Sequence, residues 1–185
     1  MHRRLKFCGW GHEGEGLDEA ERARVFRFVA EKLGAEPSAL SPPPQLSDIA
    51  LRAPRISAPA SLASVLSQDP YERLLHTYGK SYPETVRAFA RDFANAPDFV
   101  ALPETESDIA GVLDWAAAAK VAVIPFGAGS SVVGGVEPVV GDAYAGAVSL
   151  DMRRLNRVLE VDATSRAARI QAGILGPAIE AALKP

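Results

Sequence analysis

The 185-residue sequence is poor in cysteine, histidine and long apolar runs, and each scarcity excludes a chemistry. Cys8 is the only cysteine, so no intramolecular disulfide can form. With one thiol and three scattered histidines (His2, His12, His76), no zinc-type Cys/His cluster can be assembled. No apolar stretch approaches the roughly 18 residues needed to span a bilayer. The basic start Met1-His2-Arg3-Arg4-Leu5-Lys6 runs into Phe7-Cys8-Gly9-Trp10 and not into an apolar segment, so no export signal is visible and a cytoplasmic location is expected. A surplus of positive charge is also missing. Twenty Lys and Arg stand against 23 Asp and Glu, a net charge of −3, which gives no field to draw in nucleic acid or an anionic membrane. A small-molecule partner is the expectation, and the oligomeric state is left open.

What is present is ordinary for a globular protein, 48% hydrophobic and 23% charged residues, enough to build a core without metals or cross-links. Residues 35–70 carry seven of the fourteen prolines and no sustained period, which marks a connector. Its Leu46, Ile49, Leu51, Ile56, Leu62, Val65 and Leu66 predict that it packs over a neighbour. Before it, Asp18-Glu19-Ala20-Glu21 is a capping box opening a helix to Lys32, with Phe26, Val29, Ala30 and Leu33 as its apolar face and Gly34 as its stop. After it, Asp69-Pro70 opens a short helix ended by Gly79. Ser81-Tyr82-Pro83-Glu84 opens another, whose buried side is expected at Val86, Phe89, Ala90 and Phe93.

From Pro97 short apolar strands alternate with helices. Phe99–Leu102 reads as a strand, and Thr105 with Asp108 caps a helix carrying Ile109, Val112, Leu113 and Ala116 on one face. Val121–Phe126, apolar throughout, reads as a parallel strand buried on both faces. Ala147–Leu150 is a third strand, residues 157–162 and 166–172 form a hairpin, and Gly176-Pro177 opens a last helix. The fold class is therefore α+β, a helical N-terminal segment followed by a βαβ-containing unit.

The chemistry-bearing segment is Pro125-Phe126-Gly127-Ala128-Gly129-Ser130-Ser131, continuing to Gly135. It follows a strand directly, and its small residues let successive backbone N–H groups converge on an anion such as a diphosphate, with Ser130 and Ser131 adding hydroxyls. An ordinary turn is the competing reading. The dinucleotide fingerprint fails, because Val132 stands where its third glycine should be and Gly134, Gly135 and Pro138 oppose a helix. The triphosphatase loop fails too, because Leu74 stands five residues before Gly79-Lys80-Ser81.

The order of the segments resembles a known family. Residues 97–109, 123–131, Ser149-Leu150-Asp151-Met152-Arg153-Arg154-Leu155-Asn156-Arg157-Val158, Val161-Asp162 and Gln171-Ala172-Gly173-Ile174 resemble the opening half of a PCMH-type FAD-binding domain, the vanillyl-alcohol oxidase and p-cresol methylhydroxylase family. Residues 6–11 and Arg73-Leu74-Leu75-His76-Thr77-Tyr78-Gly79-Lys80-Ser81 are similar to the leader of its alkyldihydroxyacetonephosphate synthase-like branch. The resemblance implies a leader over 1–94 and the N-terminal, incomplete part of the FAD domain over 95–185. It implies that Pro125, Phe126, Gly127, Ala128, Gly129, Ser130 and Ser131 wrap the FAD diphosphate. Relatives that attach flavin covalently use a histidine near this loop; none is present, so FAD is expected to be non-covalent. The substrate pocket and proton-transfer residues of the family lie in a later domain, so no catalytic residue and no metal ligand is expected here, and a small-molecule or lipid substrate belongs to the full-length form. Three functions are implied: flavin-dependent alkyl transfer in ether-lipid synthesis, oxidation of a D-2-hydroxy acid, or a non-catalytic remnant.

The remaining residues have plainer readings. His76 is a general base or a buried structural histidine, Cys8 a reactive thiol or a small packed hydrophobe, and Trp10 and Trp115 ring-stacking or packing groups. Arg153-Arg154 is a partner contact or a solvated turn, and Gly173-Ile174 a cofactor-proximal pair or a turn.

Overall fold

A computed structural model describes residues 4–34 and 41–184. Met1–Arg3, the first part of the proline-rich connector and Pro185 lie outside the described residues.

The N-terminal region is helical, as its caps dictate. Helix α1 (Glu19–Leu33) begins at the Asp18–Glu21 capping box and ends at Gly34 in the left-handed conformation (φ 60°). Of its expected apolar face only Ala30 is buried, and Leu33 is 74% exposed. Helix α2 (Pro70–Leu75) has Asp69 as N-cap and stops at His76, earlier than the expected Gly79. The His76 backbone N–H closes the helix on Glu72, and the chain then runs on as a turn. Helix α3 (Tyr82–Phe89) opens at the Ser81–Glu84 capping box. Its buried residues are Glu84 and Ala88; of the expected face Phe93, beyond the helix end, is buried and Phe89 half-buried, but Val86 and Ala90 are exposed. The reason is polar: Glu84 turns inward to accept from the backbone N–H groups of Gly79 (3.0 Å) and Ser81 (2.9 Å). A small leader core gathers Leu74, Tyr78, Ala88 and Phe93, with Phe7, Cys8, Ile49 and Leu51 against it.

The second region is a four-stranded sheet in the order β1-β2-β4-β3. Strands β2 (Phe99–Ala101), β3 (Val121–Phe126) and β4 (Gly146–Asp151) are parallel, and β1 (Leu66–Ser67) pairs antiparallel with β2. A two-residue strand has no period to detect, and β1 is the one element of this sheet that the sequence pattern conceals. Helix α4 (Glu106–Ala119), capped by Thr105 and Asp108, crosses over from β2 to β3. It packs Val112 and Ala116 onto Phe99, Ala101, Val121, Val148 and Leu150, with Leu62 and Val65 of the connector completing the core. The packed connector is thus borne out.

Strand β4 is central and wholly buried, but β3 is an edge strand and only its ends are buried. The expectation of burial on both faces fails over residues 122–125; among the described residues nothing pairs beyond this strand, and Pro125, which lacks an N–H, suits such an edge. The expected hairpin forms a separate two-stranded sheet, β5 (Val158–Asp162) and β6 (Ala167–Ile170), followed by helix α5 (Gly176–Leu183). Among the described residues no helix is long and apolar enough to cross a membrane.

Candidate functional site

The glycine loop leaves the C-terminal end of β3 and takes the chain to β4 without a helix. That agrees with the rejection of the dinucleotide fingerprint. The register places Phe126 beside Asp151, so the last residues of the two neighbouring parallel strands meet under the loop.

Phe126 is 1% exposed, with its ring packed inside the chain. It lies 4.1 Å, centroid to centroid, from the imidazole of His76, and the Arg153 guanidinium stands 5.9 Å over it. Gly129 rests on the same ring: a Cβ there would fall far inside contact distance of the Phe126 ring atoms, and its φ of 65° is left-handed. Phe126 is therefore a pillar inside the loop, which leaves backbone groups and the Ser130 and Ser131 hydroxyls on its outer side. Gly127 differs, because a Cβ there meets no protein atom within 4 Å.

Among the described residues, no protein acceptor is bonded to the backbone N–H of Ala128, Gly129, Ser130 or Ser131. Gly129 is a buried residue, so its free donor is costly unless something outside the chain accepts from it. A run of free N–H groups on a left-handed glycine suits an anionic oxygen, each charge-assisted bond being worth about 1.5–3 kcal/mol. The residues present therefore fit a diphosphate-bearing cofactor. The Ser131 hydroxyl has a structural task as well, accepting from Gly135 N–H at 3.0 Å.

Beneath the pillar is a charged cluster that sequence reasoning did not assemble. His76 is fully buried, with Nδ1 2.7 Å from the Glu72 carbonyl oxygen and Nε2 3.0 Å from Asp151 Oδ2. Both ring nitrogens face carbonyl or carboxylate oxygens, which fixes the orientation of the ring. Asp151 also accepts from Arg153 through the backbone N–H (2.8 Å), Nε (2.7 Å) and Nη2. Burial works against ionising Asp151, but the bonds from His76 and Arg153 outweigh it and hold its pKa at about 2. Arg153 is thus tied into the site and is not the solvated turn residue of one sequence reading, whereas Arg154 reaches the surface and pairs with Glu104 at 2.8 Å. Glu72, His76 and Asp151 also offer three metal-ligating atoms within 4.8 Å of one another. Arg153 already supplies a cation to the Asp151 carboxylate, which opposes a second one there.

Of the other candidates, Cys8, Trp115 and Gly173 resolve toward packing, and Trp10 does not. Cys8 is half-buried and burial pushes its thiol pKa up, with Lys80 pulling the other way. Trp115 packs edge-on against Phe99 in the core, while Trp10 is 62% exposed. Gly173 donates to the Leu155 carbonyl at 2.8 Å, and its Cα lies so close to the Met152 backbone that no side chain fits. Close packing accounts for that glycine.

A family model described as an FAD binding domain matches residues 97–185, from just before β2 to the chain end. Alkyldihydroxyacetonephosphate synthase of Dictyostelium discoideum is 40% identical over 119 residues, 64% of this chain and 19% of that protein. A solved structure of alkyldihydroxyacetonephosphate synthase superposes with a TM-score of 0.76 at 30% identity, over 97% of this chain and 38% of that one. D-2-hydroxyglutarate dehydrogenase of Xanthomonas citri pv. viticola is 31% identical over 99 residues, 51% of this chain and 20% of that protein. The chain thus spans well under half the length of each of these relatives. Residues 97–185 are thus similar to an FAD binding domain, and along nearly its whole length the chain resembles alkyldihydroxyacetonephosphate synthase.

Proposed function

We propose that residues 125–131 cradle the diphosphate of FAD, that the cofactor is held non-covalently, and that residues 95–185 form this part of the cofactor domain behind a leader of residues 1–94. In this reading the chain contributes to an alkyl-transferring enzyme of ether-lipid synthesis whose substrate is a lipid precursor. The observation that carries the proposal is the row of free backbone N–H groups at residues 128–131, on a loop whose only large side chain faces inward. Non-covalent attachment is supported by the loop's composition: it has no histidine or cysteine, and both nitrogens of the neighbouring His76 are engaged. In sequence, likeness to the synthase extends over 64% of the chain at 40% identity and likeness to the dehydrogenase over 51% at 31%, which favours alkyl transfer over hydroxy-acid oxidation.

Gly127→Val is the direct test, because a Cβ there meets no protein atom within 4 Å and the substitution is aimed at the ligand side of the loop. In equilibrium dialysis the wild-type chain should bind FAD and release it intact on denaturation. The variant should bind at least about tenfold more weakly with an unchanged melting temperature, a difference of about 1.4 kcal/mol. Equal binding by the two would show that the loop is not the cofactor site.

A further inference from the structure

The glycine loop is not self-supporting: residues of the leader hold it at three separate points. At its base, His76 stacks under Phe126 and is itself fixed by Glu72 and Asp151. At its middle, the backbone N–H of Lys80 donates to the Ser131 carbonyl at 2.6 Å. Gly79 lies so near that carbonyl that a Cβ would collide with it, and Glu84 holds the Gly79 N–H at 3.0 Å. The same Lys80 reaches back through Nζ to the Gly9 carbonyl at 2.6 Å and the Lys6 carbonyl at 3.3 Å, which ties the N-terminal turn to the strap. At the far end, Arg87 of α3 grips the Glu137 carboxylate with two bonds of 2.6 Å, and Asn95 adds a third at 2.9 Å. Tyr78 braces this contact, its ring 4.7 Å below the Arg87 guanidinium.

All three supports come from residues 76–95, yet none of their polar groups is among the free donors at 128–131. Their geometry acts on where those donors point. A row of N–H groups binds a diphosphate well only if it is already aimed, because ordering a loop on binding consumes interaction energy.

We infer that His76, Gly79, Lys80 and Arg87 of the leader are positioning residues for the cofactor loop, so that the leader pre-orders the FAD diphosphate site. This rests on the FAD reading above and adds to it a role for a region outside the matched cofactor domain.

The test uses the whole 185-residue chain and two substitutions that leave the sheet core untouched. Gly79→Ala pushes the Ser131 carbonyl away from the Lys80 N–H, and Arg87→Gln removes the grip on Glu137. Gly141→Ala, at an exposed glycine with open space around it, is the control. FAD and ADP affinities are measured by equilibrium dialysis, and amide hydrogen exchange is compared between residues 127–137 and the β4 strand. The expected result is FAD and ADP binding weaker by about tenfold or more in both variants. Exchange should be faster in 127–137 and unchanged in β4, and the control should behave as wild type. Wild-type affinity in both variants, in a chain whose FAD binding is abolished by Gly127→Val, would overturn the positioning role and leave the cofactor reading standing. Faster exchange throughout β4 would also overturn it, by making the effect one of general stability. Failure of the wild-type chain to bind either ligand would overturn the cofactor reading and this inference with it.

Discussion

The two ends of the parallel sheet each bury one aspartate, and the pair are held for different ends. Asp98, just before β2, receives Arg52 Nη1 (2.6 Å), Arg55 Nη2 (2.7 Å), the Arg55 backbone N–H (2.8 Å) and the Ala147 backbone N–H (2.8 Å). Burial resists its ionisation, but these bonds win and hold its pKa well below the usual carboxylate range. Every donor is a connector or sheet group, so Asp98 works as a pin that fastens the connector to the strand ends. Asp151, at the opposite end of β4, is equally buried, but its partners His76 and Arg153 bear on Phe126 and the loop. The same residue type thus serves architecture at one end and supports the candidate loop at the other. The C-terminal ends of parallel strands are where open α/β sheets place their ligands.

The comparison is broken most severely by Asp98→Ala, which leaves two arginines facing a buried gap. It should cost about 3–5 kcal/mol in urea denaturation, and a loss below about 1 kcal/mol would show that Asp98 is not the pin.

Acid affects both ends with the same sign. A carboxyl whose folded pKa is depressed stabilises the fold above its unfolded value near 3.9, and that contribution disappears as pH falls through the folded value. For Asp151, at about 2 in the folded chain, the contribution is about 2–3 kcal/mol, lost between roughly pH 5 and 1. Asp98, held lower still, extends the loss to more acid pH. Urea midpoints followed from pH 6 to 2 should therefore fall for the wild type, and the fall should be shallower for Asp151→Asn. Parallel curves would remove Asp151 from the account.

A sharper contrast comes from one glycine at each end. A methyl on Gly146 would meet Asp98 Oδ2 at 2.7 Å and Ile56 at 2.9 Å, and one on Gly129 would meet the Phe126 ring at a left-handed backbone. Each alanine variant should lose about 1–3 kcal/mol of stability, but only Gly129→Ala should also weaken FAD binding at a temperature where both are folded. Equal effects on FAD would erase the distinction between the two ends. The smallest effect is expected for Arg154→Ala, whose exposed pair with Glu104 should change stability by no more than about 0.5 kcal/mol in the same denaturation assay.

Local signals carried a large part of the fold. The capping boxes at Asp18, Ser81 and Thr105 and the strand at 121–126 stand where the sequence places them. These features depend on residues within four positions of one another, so neighbouring chemistry suffices to specify them. The hairpin and the glycine loop were legible for the same reason. The inward turn of Glu84, the exposure of Val86 and the edge position of β3 were not, because each depends on which partner a face meets. His76 was visible as a candidate, but its weight comes from Asp151, 75 residues away.

By itself the sequence determined the helix starts, the strands other than β1, the absence of an intramolecular disulfide and a loop able to present backbone donors to an anion, since all follow from composition and short-range spacing. Tertiary structure alone decided that Phe126 turns inward as a pillar, that Asp98 and Asp151 divide their labour between the two ends of the sheet, and that residues 76–95 frame the loop. Those are contacts between segments distant in the chain. Their energies exist only once the sheet has brought the segments together.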